Sequence, residues 1–322
     1  MTKNLIKNIQ NFAFQNKLWG KNSKIVLGVS GGADSVCLLD VLYNLADKYN
    51  FKLHIAHVNY GLRGKDSEKD EKFVRELGKK YGIAVSTYSP SKKEYQGNLE
   101  NNLRNIRYEY FEKIRKELEF DLIAVAHNQD DQAETVLMRI IRGSGLNGLS
   151  AMKAKSKKII RPLLETNRKE ILNYLKQKKL KYRTDKTNAD TKLMRNKIRH
   201  ALLPYLEKNF NPGIKKTLSE WSKTVADDYD FIEKSAERFK KNICKNKHIT
   251  LNSKNFLDLQ PAMQKQLLRS IFCQLKKETL DIENKQIEEI IKVIKSTKNK
   301  TQKASVGGLK ILKKGDKVDM FC

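Results

Sequence analysis

Long apolar runs are missing from this sequence. The longest, such as Ile25-Val26-Leu27 and Leu122-Ile123-Ala124-Val125-Ala126, fall far short of the ~20 residues that a membrane helix needs. No membrane association is expected. Cysteine is scarce and scattered: Cys37, Cys244, Cys273 and Cys322 form no CxxC pair, which argues against a zinc ribbon, an iron–sulfur site or a disulfide framework. No internal repeat or low-complexity tract is evident. The opening Met1-Thr2-Lys3-Asn4-Leu5-Ile6-Lys7 interrupts its apolar pairs with polar residues and carries no small-residue cleavage site, so a cytoplasmic protein is expected.

Acidic residues are the other deficit. In 322 residues, 65 Lys and Arg stand against 37 Asp and Glu, a net charge of +28. The excess is patchy: residues 151–200 hold 17 basic and 4 acidic side chains, and residues 291–322 hold 9 lysines and 2 aspartates. Any one lysine is adequately explained as a solvated surface charge. Two clusters together favour a polyanionic partner, because each phosphate neutralised by Lys or Arg releases counterions. Apolar residues nevertheless make up 39% and recur throughout. The chain should therefore fold, in about two domains at this length.

Residues 1–150 alternate short apolar runs with helical periodicity, the pattern of consecutive βαβ units. Strands are expected at Ile25–Val29, Phe51–Val58, Ile83–Tyr88 and Phe120–His127, with helices marked by Val36, Leu39, Leu42 and Leu45 and by Leu99, Leu103, Ile106 and Tyr110. The expected fold is α/β, a doubly wound, mainly parallel sheet in a catalytic domain of residues 1–210 that includes a basic extension. Asn211-Pro212-Gly213 is the clearest breaker. Residues 211–322 are expected to form a smaller, mainly helical basic domain, with long helices to about Ser296 and short alternating runs at Leu309–Leu312 and Val318–Phe321.

The segment Ser30-Gly31-Gly32-Ala33-Asp34-Ser35 lies between the first strand and an apolar-periodic helix. Paired glycines let a backbone approach phosphate closely, and the free N–H groups of a helix start form an anion site. Ser30 and Ser35 add hydroxyls. Asp34 would repel phosphate unless it holds Mg²⁺. Neither a Walker A GK[ST] nor a GxGxxG fingerprint is present. The segment resembles the pyrophosphatase-type loop of enzymes that cleave ATP between its α and β phosphates to adenylate a substrate.

Ligands of open α/β sheets bind outside the carboxyl ends of the strands. Here the second strand runs into His57-Val58-Asn59-Tyr60-Gly61-Leu62-Arg63 and the fourth into His127-Asn128-Gln129-Asp130-Asp131-Gln132-Ala133-Glu134. The helix between them carries Arg104, Arg107 and Tyr108. Singly these have structural explanations: Asp130 as a helix cap, His127 as a satisfied sheet-edge histidine, Arg104 as an exposed charge. Their convergence at the edge that holds the phosphate loop favours a site.

Together with Asn98-Leu99-Glu100, Arg139, Arg142-Gly143-Ser144-Gly145, Arg161-Pro162-Leu163-Leu164, Asp185…Thr187-Asn188 and Arg195-Asn196-Lys197-Ile198-Arg199-His200, these segments resemble the tRNA(Ile)-lysidine synthase family over most of residues 24–205. The resemblance implies ligation of L-lysine to C2 of the wobble cytidine of an isoleucine tRNA with a CAU anticodon, through an adenylated tRNA, with release of AMP and pyrophosphate. It implies ATP and Mg²⁺, with Ser30–Ser35 as the ATP loop and Asp34 on the metal. Arg107 and His127 are implied in adenylation, and Asp131, Arg199 and, less directly, Arg195 in lysine binding. A homodimer is the candidate assembly, and residues 211–322 resemble the tRNA-contacting domain of the shorter members. Tyr60 and Asn128 stand where the family has further histidines, and neither is expected to touch a residue of the chemistry. The nearest rival is a tRNA thiolase with the same adenylation step, which would want a CxxC pair or a placed catalytic cysteine. Amidating ligases lack support without a glutaminase segment, and a non-enzymatic RNA-binding module would not need Asp34, His127 and Asp131 at one sheet edge.

Overall fold

In the computed structural model the described residues are all except 1, 92–93, 96–98, 185–193, 246–247, 277–281, 299 and 322. Asn98 and the Asp185…Asn188 stretch therefore lie outside them. The chain divides into two compact units, Met1–Lys223 and Thr224–Cys322. The first runs α1 (Thr2–Gln15), β1 (Lys24–Gly28), α2 (Ala33–Tyr49), β2 (Lys52–Val58), α3 (Lys65–Tyr81), β3 (Val85–Tyr88), α4 (Leu99–Glu117), β4 (Leu122–Ala124), α5 (Gln129–Ile141), α6 (Leu146–Leu149), β5 (Lys155–Ser156), β6 (Ile159–Ile160) and α7 (Arg168–Gln177). It continues through α8 (Met194–Lys197), a π-helical stretch Ile198–Leu202 and α9 (Leu203–Asn209) into α10 (Ile214–Ile243).

Six strands form one sheet in the order β3-β2-β1-β4-β6-β5, parallel except for the β5–β6 hairpin pairing. This is the doubly wound sheet expected. Alternation along β1 explains why it lies at the centre: Ile25 and Leu27 enter one buried cluster with α1, α2 and α7, while Val26 joins Ala56, Ile123 and the α4 residues Ile106, Tyr110 and Phe111 on the other face. From β1 the chain steps one way to β2 and the other way to β4. The carboxyl ends of β1 and β4 thus border the crevice where an open sheet accepts ligands.

The division falls at Lys223/Thr224, not at the breaker before residue 214. Asn211-Pro212-Gly213 turns the chain without parting two cores, because the start of α10 still belongs to the first: Ile214 and Leu218 pack on Ala133, Ile198 and Leu203. Ser222 Oγ also accepts a buried hydrogen bond from Gln132.

The second unit contains α11 (Ser253–Leu257), α12 (Pro261–Lys276) and α13 (Asn284–Lys295), as its helical pattern suggested, and also a five-stranded antiparallel sheet. Its strands are β7 (Cys244–Lys245), β8 (His248–Asn252), β9 (Gln302–Val306), β10 (Leu309–Lys314) and β11 (Lys317–Phe321), in the order β7-β8-β11-β10-β9. Three of these strands escaped the sequence reading. They are short and polar, and β8 pairs with β11 across more than sixty residues, as Thr250 opposite Asp319 shows, a long-range pairing that local periodicity does not register. Among the described residues no helix is long and apolar enough to cross a membrane.

Candidate active site

The phosphate loop is fixed by its own short side chains. Gly31 has φ +86°, a conformation that favours glycine. Gly32 caps α2 through an extended backbone with no side-chain cap, which leaves helix-start N–H groups facing outward. The Ser30 N–H donates to Ser35 Oγ (3.2 Å), and Ser35 Oγ donates to the Gly32 carbonyl (2.9 Å). A second clasp comes from far along the chain: the Arg183 N–H donates to the Gly31 carbonyl at 2.9 Å. The Arg183 guanidinium is held by Asp70, which also pairs with Arg63. Gly28 beneath the loop has its own reason: a Cβ there would stand 2.5 Å from the Phe111 ring.

Asp34, in the first turn of α2, forms an ion pair with Arg168 at the start of α7. Burial raises its carboxyl pKa, opposed by Arg168 and reinforced by the charge of nearby Asp131. Among the described residues no three metal-ligating side chains cluster. Asp34 therefore offers one hard carboxylate. That fits Mg²⁺, which is commonly held by one or two carboxylates with substrate phosphates and water completing its shell.

Asp34 shares a cleft with Ser30, Ser35, Arg107 and His127, walled by Val58, Tyr108 and Phe111. The guanidinium carbons of Arg104 and Arg107 lie 5.6 and 5.5 Å from the centre of the Tyr108 ring, a cation–π arrangement. Arg161 is buried with one N–H on the Lys153 carbonyl (2.8 Å). Burial, then the charges of Arg161, Arg107, Arg195 and Arg104, hold the His127 pKa well below its ordinary value. His127 is thus a neutral imidazole in a cationic setting. Positive charge there comes from the arginines, not from the histidine.

Asp131 and Glu134, i and i+3 on α5, lie outside that cleft in a second cluster. The Arg195 guanidinium donates to Asp131 Oδ1 and Glu134 Oε2, both at 2.8 Å. Arg199 donates to Glu134 Oε1 (2.5 Å), Glu134 Oε2 (2.9 Å) and Asp131 Oδ1 (3.2 Å). Burial disfavours the Arg199 charge, and the hydrogen bonds and charges of Glu134 and Asp131 outweigh it, raising its pKa. The π-helical turn at Ile198–Leu202 carries Arg199, an irregularity often found at functional sites.

The structure therefore brings Ser30, Gly32, Asp34, Ser35, Arg107 and His127 to one cleft, with Gly31 and Ala33 packed into the loop. It joins Asp131, Arg195 and Arg199 in the neighbouring cluster. Glu134 is the member that the sequence reading left without a role, although its i+3 spacing from Asp131 already put both on one helix face. Arg168 carried no local signal. Two expectations need correction. Asp130 does not cap α5: it accepts the Arg168 N–H (3.0 Å) and pairs with Lys215, while Asn128 is the cap, in a reciprocal box with Asp131. Asn128 thus touches both Asp131 and Asp34. Tyr60 likewise lines the cleft, its hydroxyl donating to the Leu103 carbonyl of α4 at 2.8 Å.

The family model of the PP-loop domain matches residues 1–206. The chain belongs to the PP-loop family. This is an ATP-utilising domain, in keeping with the loop geometry. The chain is 35% identical over 304 residues to the tRNA(Ile)-lysidine synthase of Clostridium tetani, covering 92% of this chain and 65% of that protein. It is 38% identical over 280 residues to that of Caldanaerobacter subterraneus subsp. tengcongensis (85% and 60%). With the Bacteroides thetaiotaomicron enzyme it shares 40% over 226 residues (69% and 52%). The chain thus spans between a half and two thirds of the length of these curated relatives. A U34-tRNA thiolase of Methanococcus maripaludis shares the fold, with a TM-score of 0.57 at 24% identity over 70% of this chain and 79% of that one.

Proposed function

We propose that this PP-loop protein is a tRNA(Ile)-lysidine synthase. The cytidine C2 oxygen would attack the α phosphorus of ATP and expel pyrophosphate. The lysine ε-amine would then form the new C2–N bond, lose a proton and expel AMP. The observation that carries this reading is the juxtaposition, around α5, of an ATP-loop cleft with a cluster of two carboxylates and two guanidiniums.

The cleft suits the first half-reaction. The loop N–H groups and the Ser30 hydroxyl would cradle the leaving phosphates, and Arg107 would offset the charge that builds on the α-phosphoryl group. His127, kept neutral, can accept or donate a hydrogen bond but brings no charge. Mg²⁺, bound through Asp34 in exchange for Arg168, would neutralise phosphate charge.

The second cluster suits a zwitterionic amino acid. Asp131 and Glu134 can take an ammonium, and Arg195 and Arg199 a carboxylate, so lysine would exchange for ion pairs that the protein makes with itself. A carboxylate beside the ammonium can also receive its proton before attack. The C-terminal unit would hold tRNA: Lys303, Lys310 and Lys314 are exposed on its strands. Lys313 is instead structural, its Nζ donating to the Ile294 and Ser296 carbonyls at the end of α13 (2.5 and 2.6 Å). A thiolase has less support. Cys37 is buried within α2, where burial and then the charges of Asp34 and Asp40 push its thiol pKa up, and Cys273 lies on α12 in the other unit. The test is incubation with ATP, labelled lysine and total bacterial tRNA. ATP-dependent incorporation into RNA is expected, and its absence with active tRNA present would reject the reading.

A further inference from the structure

His57, at the end of β2, is 4% exposed, lines the ATP cleft, and has no role in the chemistry above. Its Nδ1 stands 2.8 Å from the Val29 carbonyl, just after β1. A carbonyl only accepts, so Nδ1 carries the proton and the neutral ring presents Nε2 as a bare acceptor. Burial lowers the ring's pKa, which favours that neutral form. Nε2 is buried and has no hydrogen-bond partner among the described residues. An acceptor held in this way gains nothing from phosphate or carbonyl oxygens. It matches an N–H or O–H. The phosphates belong at Ser30–Ser35, whereas the cleft that His57 lines is also walled by Val58, Tyr60, Tyr108 and Phe111, surfaces suited to a sugar and a base.

We propose that His57 Nε2 accepts a hydrogen bond from a donor on the nucleoside part of ATP, a ribose hydroxyl or the exocyclic amine, and so selects the nucleotide. The inference rests on ATP being the cosubstrate at this cleft. His57 is a specificity residue here, not a participant in bond making. Leaving such a buried acceptor unmatched in the complex weakens binding.

The test is titration of the full chain, without tRNA, with ATP, inosine triphosphate, 2′-deoxy-ATP and 3′-deoxy-ATP. Wild type should bind one of the three analogues about tenfold more weakly than ATP, the size of one lost hydrogen bond, and that analogue identifies the donor. His57→Asn can retain an N–H to Val29 but has no atom at Nε2. It should bind ATP about tenfold more weakly and that analogue as wild type does, so the preference disappears. Independently of any variant, ATP should shift the ¹⁵N resonance of His57 Nε2, and the discriminated analogue should not. Undiminished preference in His57→Asn, equal weakening for all four nucleotides, or an unmoved Nε2 resonance would overturn the proposal. Loss of lysine transfer with the nucleotide preference intact would instead count against the lysidine synthase reading alone.

Discussion

The two halves of the candidate site handle their polar groups in opposite ways. In the ATP cleft, His57 Nε2, Arg107 Nε and His127 Nδ1 have no hydrogen-bond partner among the described residues. Beside it, Asp131 and Glu134 are saturated by Arg195, Arg199 and the Asn128 N–H. A cleft with waiting donors and acceptors is ready for a ligand that brings the complement. A closed set of ion pairs accepts one only by exchange, so part of the gain from binding offsets the contacts it breaks. On the proposed reaction, the first half-reaction would rest on preorganisation and the second on substitution of like for like. An amino acid bearing both charges can replace both sides at once.

Several substitutions would sharpen or break this contrast. The largest effect belongs to Asp34→Ala, which should abolish ATP-dependent activity while leaving tRNA affinity near wild type, since on the proposed reading the basic surfaces would hold the RNA. A gel-shift assay beside pyrophosphate release checks both halves, and wild-type turnover would break the assignment. His127→Ala should slow formation of AMP-linked tRNA by roughly 10²–10⁴-fold, typical of a lost acid–base or hydrogen-bonding group. With its pKa far below 6.5, His127 should add no inflection between about pH 6 and 8, and an imidazole-like step there that vanishes in His127→Ala would show the ring to be charged.

Glu134→Gln works on the closed half. Its carboxylate is 1% exposed and its two arginine partners are partly exposed, so the loss should cost about 3 kcal/mol of stability, near the lower end for a broken buried pair. A denaturant titration reads it, and an unchanged midpoint would mean that the cluster is not held shut by its own charges. Asn128→Ala removes the side-chain acceptor of the Asp131 N–H but keeps the backbone N–H that holds the Asp131 carboxylate, so it should cost about 1 kcal/mol through the lost cap, detectable as a lower melting temperature and a lower denaturation midpoint. No change in either would leave Asn128 a bystander.

The sheet, its first four strands and the phosphate loop were legible because their signals are local: apolar runs of strand length, a Gly-Gly turn, and a helix that begins at once. The partners of those residues were not. Arg168 reaches Asp34 from a helix start more than a hundred residues on, and the sequence marks neither that approach nor the clasp of Arg183 on Gly31. Asn128 was misread for a different reason. Asn128, Asp130 and Asp131 all suit a helix start, and only the backbone decides which one caps. Three strands of the C-terminal sheet were not legible because Gln302–Val306 buries little and His248–Asn252 is defined by its distant pairing with Lys317–Phe321.

The most direct test of the two-part site is Asp131→Asn in a single-turnover reaction with ATP, lysine and tRNA, following pyrophosphate release and lysine incorporation together. The amide keeps the shape and loses the charge. Pyrophosphate release should continue at close to the wild-type rate while the lysine concentration needed for incorporation rises sharply, so AMP-linked tRNA accumulates. If both rates and the lysine requirement stay as in wild type, or if pyrophosphate release fails as completely as incorporation, the division between an ATP cleft and a lysine cluster is contradicted.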